Sequence, residues 1–160
     1  MKPKIKKADK QNKGMVDVSD KAVTRRVAVA RARIRMSPYA FKELRRGRSP
    51  KGNVLETAKV AGILAAKATP KLIPMCHPLE LKKVSMSIAV DRPRRELSIT
   101  AEVVCLGQTG VEMEALTAAS VAALTVYDMM KWADRAMVIR ELRLVHKSGG
   151  KSGTFDFPKS

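Results

Sequence analysis

Aromatic side chains and cysteines are scarce in this 160-residue chain, which contains one Trp, two Tyr, three Phe and two Cys. So few aromatics leave little surface for stacking on unpaired bases, as single-stranded nucleic-acid binders require. Cys76 and Cys105 form neither a metal-ligand spacing nor a disulfide framework. No apolar run reaches the roughly 18 uncharged residues of a membrane span, and the N-terminus lacks the apolar segment of a signal peptide. These absences predict a protein of the reducing cytoplasm with no membrane segment.

Acidic residues are also few, because 15 Asp and Glu stand against 32 Lys and Arg, which gives a formal net charge of +17. A field of this sign attracts polyanions, meaning nucleic acid, an anionic membrane or a phosphorylated small molecule. Six of the lysines fall in residues 1–14, which we predict to be a basic disordered tail. A basic nucleic-acid-binding protein is therefore an alternative, although no signature of a common binding module is present.

The rest of the chain has the length and apolar content of one folded domain, since 45% of the residues are hydrophobic. Alternation of apolar and polar residues predicts four strands, over 27–36, 83–90, 96–105 and 138–145. The first of them has a basic face made by Arg31, Arg33 and Arg35. The sequence DRPRR predicts a hairpin turn between the second and the third strand.

Helix signals separate these strands. Ser37-Pro38 begins a short helix that Gly47 ends. Capping-box spacing of Asn53 and Glu56 predicts a helix over 54–67, interrupted by Gly62, and the same spacing of Thr109 and Glu112 opens a long helix over 111–133. Thr69-Pro70 and the sequence IPMCHPL predict a loop. The order of elements indicates an α+β fold.

The long helix presents Asp128 and Lys131 three residues apart, so that their side chains share one face. No charged residue occurs from Ala115 through Tyr127, which predicts that the pair is buried. Burial raises the pKa of a carboxyl and lowers that of an ammonium, and such a pair can exchange protons near neutral pH. The alternative is an ordinary ion pair at the end of a core helix.

Three further segments carry candidate chemistry. His77 is held between prolines in MCHP, where a rigid backbone would aim its imidazole. Lys51-Gly52 precedes a helix start, where backbone N–H groups favour an anion. In KSGGKSG, Val145 occupies the position where a P-loop needs glycine, so a Walker site is rejected. The segment, with Lys147 and Lys151, could still bind phosphates through its backbone N–H groups, or it could be a flexible end.

The length of the long helix separates its functional candidates. Glu112 and Glu114 open the helix, where the dipole favours negative charge, whereas Asp128 lies fourteen residues beyond Glu114. At 1.5 Å per residue this is about 21 Å. Either the two ends contact opposite ends of a long substrate, or one end meets the other end of a neighbouring protomer's helix. The second arrangement predicts two sites per dimer, each built across the interface.

Five motifs occur in order over nearly the whole chain: MVDVSDK (15–21), KGNVLETAKVAGILAAK (51–67), LIPMCHPL (72–79), GQTGVEMEALTAASVAALTVYDMMK (107–131) and HKSGGKSG (146–153). Together they closely resemble the molybdenum cofactor biosynthesis protein C family, the cyclic pyranopterin monophosphate synthases. LIPMCHPL followed by TGVEMEALTAASVAALTVYDM is highly specific, whereas KSGGKSG alone is weak. The resemblance implies a ferredoxin-like fold, with an antiparallel sheet packed on helices, in a single catalytic domain over 15–160.

The resemblance also implies roles for eleven residues. Asp128 would be catalytic and Lys131 its acid–base partner. The substrate-binding residues would be Met75, Cys76, His77, Met113, Glu114, Lys51, Lys147, Glu112 and Arg26.

The implied reaction converts the cyclised dihydro-GTP intermediate, 3',8-cyclo-7,8-dihydroguanosine 5'-triphosphate, to cyclic pyranopterin monophosphate with release of pyrophosphate. The implied partner is therefore a small triphosphate, not nucleic acid. The family assembles as a homohexamer, a trimer of dimers, with active sites between subunits. Neither a cofactor nor a metal is expected.

Overall fold

A computed structural model describes residues 14–158 as a five-stranded antiparallel sheet with three helices. The elements in chain order are β1 (Thr24–Arg35), α1 (Pro38–Arg45), α2 (Val54–Leu72), β2 (Leu81–Asp91), β3 (Glu96–Gly107), α3 (Glu112–Met130), β4 (Val138–Ser148) and β5 (Phe155–Asp156). The tail predicted over 1–14 lies, except for Gly14, outside the described residues.

The sheet has the strand order β2-β3-β1-β4-β5, so the first strand of the chain occupies its centre. β1 pairs with β3 through contacts such as Ala30 with Ala101, and with β4 through Arg31 and Arg143. The β-α-β-β-α-β succession with this order is the ferredoxin-like arrangement. The predicted α+β fold is confirmed, and so are the four strands and the turn between β2 and β3.

β1 separates the helix-covered core from the outer face of the sheet. Ala28, Ala30, Ala32 and Ile34 are fully buried beneath the helices, and the alternating residues face the other way, as the predicted period requires. The basic outer face is only half-exposed, because Arg33 is 3.1 Å from a carboxylate oxygen of Glu141 and also pairs with buried Glu96. Arg33, the middle arginine of this face, is therefore bound within a charge network.

α2 begins where its capping signal predicts, since the Asn53 side chain accepts a hydrogen bond of 3.1 Å from the Glu56 N–H. The prediction that Thr69-Pro70 lies in a loop is wrong, because the helix continues through Pro70 to Leu72. Pro70 has no N–H to donate to a carbonyl of the preceding turn. It lies two residues before the end of the helix, so little of the helix follows the hydrogen bond that is lost. The Thr69 hydroxyl also donates to the Ala65 carbonyl at 3.1 Å.

α3 differs from its prediction at both ends. The Thr109 capping box is wrong: the N-cap residue is Val111, which has no side-chain cap bond. Glu112 instead directs its carboxylate to Lys147 at 3.1 Å. The helix ends at Met130, before the predicted residue 133, and Lys131 is its C-cap residue.

The middle of α3 is made of small buried side chains, and α2 packs closely beside it. Ala115, Ala118, Ala119 and Ala122 are fully buried. A Cβ atom at Gly62 of α2 would come within 3.0 Å of the Ala118 carbonyl oxygen and 2.6 Å of the Met86 methyl group. Gly62 therefore permits the close helix approach that fixes α3 on the sheet. None of the helices within 14–158 is long and apolar enough to cross a bilayer.

Candidate functional site

Three charged side chains meet at the C-terminal end of α3 and form what we call the lysine–aspartate cluster: Lys51, Asp128 and Lys131. The Lys51 Nζ atom lies 2.5 Å from Oδ2 of Asp128, and the Lys131 Nζ atom lies 2.8 Å from Oδ1. Each carboxylate oxygen thus accepts from a different ammonium group. Asp128 and Lys131 share a face of the helix end, as their spacing predicts.

Lys51 reaches the cluster because its loop is tied to α3. The Lys51 N–H donates to the Ser49 hydroxyl at 3.2 Å, and that hydroxyl donates to the Met129 carbonyl at 3.1 Å. Gly52 follows in a left-handed conformation with φ +93°, which glycine adopts without strain. These contacts place the loop beside the last turn of α3.

The prediction that Asp128 and Lys131 are buried is wrong. Their side chains are 50% and 52% exposed in this chain, although the neighbouring Met129 and Met130 are buried. Hydrogen bonds from Lys131 and then Lys51 lower the pKa of Asp128 to about 2, the reverse of the raised pKa that burial predicts. The Asp128 carboxylate therefore stays ionised at neutral pH.

The N-terminal end of α3 borders a separate small cavity of about 140 Å³, which we call the carboxylate pocket. Its lining residues come from the loop after α2 and from the start of α3: Met75, Cys76, His77, Leu79, Thr109, Gly110, Glu112, Met113 and Glu114. Six of the predicted substrate-binding residues are therefore neighbours here.

Glu114 is the buried acid of the carboxylate pocket, with 3% of its surface exposed. Desolvation raises the pKa of its carboxyl, and the charge of Glu112 raises it further, against a hydrogen bond from its own backbone N–H. Burial, together with the charge of Glu114, also raises the pKa of the Cys76 thiol. Cys76 is thus protonated at neutral pH, which does not suit a nucleophile.

His77 is bound at one edge of the carboxylate pocket, where its Nε2 atom lies 2.8 Å from the Val16 carbonyl oxygen. A carbonyl oxygen only accepts, so Nε2 carries the proton of this hydrogen bond. The Nδ1 atom is then the nitrogen left for other chemistry. His77 therefore connects the pocket to the N-terminal segment.

Lys147 brings a cation to the edge of the carboxylate pocket from the end of β4. Its Nζ atom lies 3.1 Å from Glu112 Oε1 and donates to the Ser152 hydroxyl at 3.0 Å. Glu112 therefore serves as an ion-pair partner and not as the predicted capping-box residue.

Arg26 lies beside the carboxylate pocket and is only 8% exposed. Its Nε atom donates to the Gly107 carbonyl at 3.1 Å and its Nη2 atom to the Gln108 carbonyl at 3.2 Å. The glycine-rich segment packs against the guanidinium, since a Cβ atom at Gly150 would lie 1.4 Å from Nη1 of Arg26. Arg26 also lines a larger cavity of about 900 Å³, together with Lys21 and Lys151.

The eleven candidate residues thus fall into two groups at opposite ends of one helix. Asp128 and Glu114 are about 21 Å apart along its axis, so one small reacting centre cannot contact both within a single protomer. Sequence reasoning identified both groups but missed the pairing of Lys51 with Asp128. It also missed the contacts that Ser49, Ser152 and Gln108 make with candidate residues. The sequence points to these three residues only because they lie inside or beside the motifs. Within 14–158 no group of three or more His, Cys, Asp or Glu side chains is arranged to hold a metal ion.

Comparison with known proteins agrees with this set of motifs. The model of the MoaC family matches residues 15–150. A cyclic pyranopterin monophosphate synthase of Dinoroseobacter shibae is 54% identical over 142 residues, which cover 89% of this chain and 90% of that protein. A protein of the same name from Pelotomaculum thermopropionicum is 55% identical over 142 residues, covering 89% and 84%. One from Nostoc sp. is 55% identical over 144 residues, covering 90% and 85%. The chain belongs to the MoaC family.

Proposed function

We propose that this protein is a cyclic pyranopterin monophosphate synthase of molybdenum cofactor biosynthesis. It converts the cyclised dihydro-GTP intermediate to cyclic pyranopterin monophosphate and releases pyrophosphate. The observation that carries the proposal is the carboxylate of Asp128 held between Lys51 and Lys131 in a chain of the MoaC family. We place the reaction in the cytoplasm, where the free thiols of Cys76 and Cys105 stay reduced.

The lysine–aspartate cluster suits proton donation and stabilisation of negative charge. Asp128, with a pKa of about 2, is too weak a base to take a proton at neutral pH. Its role is to hold the ammonium groups of Lys51 and Lys131 in fixed positions. These groups can donate protons to the rearranging ring and stabilise charge on the leaving pyrophosphate.

The carboxylate pocket supplies a different kind of acid–base group. Burial raises the pKa of Glu114, which brings its carboxyl closer to the range in which a general acid–base group works. Glu114 therefore takes the role that the sequence suggested for Asp128. Lys147 beside Glu112 adds a cation for the triphosphate.

A site that uses both groups requires more than one protomer. Because about 21 Å separates the two ends of α3, we propose that each active site combines the lysine–aspartate cluster of one protomer with the carboxylate pocket of another. Exposed apolar residues on the outer faces of α2 and α3, Val60, Leu64 and Leu124, leave surface for subunit contacts. We propose a homohexamer, a trimer of dimers.

The activity is tested by incubating the purified protein with 3',8-cyclo-7,8-dihydroguanosine 5'-triphosphate. We expect one pyrophosphate and one cyclic pyranopterin monophosphate per substrate. Absence of both products with intact protein would overturn the proposal. Salt-dependent binding of RNA in that case would favour the nucleic-acid alternative.

The shared site is tested by complementation between two inactive variants. Glu114→Gln and Asp128→Asn chains are co-expressed with different affinity tags, and the mixed assemblies are purified. A mixed dimer with isologous sites has one intact site of two, and about half of the dimers in a randomly mixed hexamer are mixed. The purified mixed hexamers should therefore have about a quarter of wild-type activity. A mixture as inactive as either variant alone would contradict a shared site.

A further inference from the structure

One side chain, Gln108, holds the N-terminal segment of the described chain against the loop that leads into α3. Its Nε2 atom donates to the Ser19 carbonyl oxygen at 3.1 Å and to the Lys21 carbonyl oxygen at 3.0 Å. Because both partners only accept, the orientation of the amide is determined by its contacts. Residues 15–21, which we call the strap, form neither helix nor strand and are mostly exposed.

The strap is attached at few other points. The His77 ring donates to the Val16 carbonyl at 2.8 Å. Within the strap, a carboxylate oxygen of Asp17 accepts from the Ser19 N–H at 2.9 Å and from its hydroxyl at 2.7 Å. The two hydrogen bonds from Gln108 are therefore a large share of the contacts that hold residues 19–21 of the strap in place.

Gln108 also contacts the candidate substrate-binding machinery through its backbone. Its carbonyl oxygen accepts from Arg26 at 3.2 Å, and its position in the loop is four residues before Glu112. One residue thus connects the strap, the buried Arg26 and the start of α3.

The strap forms one wall of the 900 Å³ cavity that Arg26 also lines. Three cations border this cavity, Lys21, Arg26 and Lys151, against two acids, Asp17 and Asp20. A cavity with an excess of cations suits a polyphosphate. Lys21 belongs to the strap, so its position depends on the bond that Gln108 makes to its carbonyl.

We propose that Gln108 is a positioning residue for substrate binding, which holds the strap and its Lys21 across the cavity so that they bind the anionic end of the triphosphate. The inference rests on the proposed function for the identity of the substrate. Gln108 acts through the strap and does not touch the reacting atoms. Loss of its side chain therefore weakens binding more than it slows the chemical step.

The test uses Gln108→Ala, Gln108→Glu and the control Ser87→Ala, which changes an exposed side chain on the edge strand β2. Gln108→Glu keeps the size of the side chain but places an acceptor against two carbonyl oxygens. We expect both Gln108 variants to raise KM about tenfold, the usual size for two net hydrogen bonds, with kcat within about twofold. Ser87→Ala should match the wild type. A fall in kcat at unchanged KM would overturn the inference.

Two further measurements do not depend on turnover. Hydrogen–deuterium exchange of backbone amides in residues 14–26 should become faster in Gln108→Ala and stay unchanged in Ser87→Ala. Binding of inorganic tripolyphosphate, measured by calorimetry, should weaken about tenfold in Gln108→Ala. Unchanged exchange or unchanged tripolyphosphate affinity would overturn the inference. If the wild type binds tripolyphosphate through this strap but forms no pterin product, the proposed function fails while the role of Gln108 stands.

Discussion

The two ends of α3 carry acids in opposite physical settings. At the C-terminal end Asp128 is half-exposed and held by two ammonium groups, so its pKa falls to about 2. At the N-terminal end Glu114 is buried beside another acid, Glu112, so its pKa rises. The same functional group is thus held as an anion at one end and shifted towards its neutral form at the other. Position along a single helix determines which chemistry each carboxyl can perform.

The largest difference between the ends should appear in turnover. Lys131→Ala should lower kcat by about 10²–10⁴, the usual effect of losing a positioned acid–base group. Asp128→Ala should have an effect of the same order, because Asp128 holds the ammonium groups of Lys51 and Lys131 in position. Lys51→Ala should have an effect of the same order, because Lys51 contacts the same carboxylate. Steady-state kinetics with the cyclised intermediate measures each value.

A matched control is Lys59→Ala. Lys59 forms an ion pair of the same i,i+3 spacing with Glu56 on α2, at 2.7 Å, and belongs to neither the lysine–aspartate cluster nor the carboxylate pocket. It should retain nearly full activity. Near-wild-type turnover in Asp128→Ala and Lys131→Ala would remove the lysine–aspartate cluster from the catalytic site.

At the N-terminal end of α3 we expect a smaller effect on turnover, together with an effect of opposite sign on thermal stability. A carboxyl whose pKa is raised by folding stabilises the protein below its unfolded pKa, and this contribution is lost as pH rises through the folded value. Glu114 therefore costs stability above its unfolded pKa, a range that includes pH 7. Glu114→Gln should lower kcat by at least tenfold and yet raise Tm at pH 7, with the gain absent at pH 4. Calorimetric scans at the two pH values test the sign, and a lower Tm at pH 7 would mean that the carboxylate is stabilised in the fold.

The smallest effect is the stability contribution of Asp128. A carboxyl whose pKa is depressed by folding stabilises the protein above its unfolded pKa, and this contribution is lost as pH falls through about 2. Asp128→Asn should therefore lower Tm slightly at pH 7, and the difference should disappear near pH 2. Water and salt screen these half-exposed pairs, so the difference at pH 7 should also shrink in high salt. A difference that persists at pH 2 would assign the effect to packing.

Much of this contrast was predictable from the sequence, but its physical basis was not. Residue spacing places Asp128 and Lys131 on one helix face and Glu114 about 21 Å away. Spacing does not tell which side of a helix end is covered. Met129 and Met130 at the end of α3 are buried, whereas the side chain of Asp128, the residue before them, is half-exposed, so the apolar run before Asp128 suggested burial where the structure has exposure. The partnership of Lys51 with Asp128 joins residues 77 positions apart in the chain, and no local pattern reports such a contact.

Local signals failed where tertiary contacts competed with them. Thr109 and Glu112 have capping-box spacing, but the Glu112 side chain pairs with Lys147, and the helix begins without a side-chain cap. Pro70 marks a loop by its chemistry, yet the end of a helix accepts it. By contrast, the alternation of β1 and the Asn53 cap predicted their elements correctly, because both depend on neighbouring residues.

The central position of β1 has a consequence for how the protein is made. β1 is translated first, but both of its neighbours, β3 and β4, follow much later in the chain. Until residues 96–107 and 138–148 leave the ribosome, this strand has neither hydrogen-bonding partner. Non-local pairing of this kind slows folding and leaves an unpaired strand open to aggregation. Charged residues within an apolar strand oppose aggregation, so we expect the arginines at every second position from Arg31 to Arg35 to protect β1 until its partners are made.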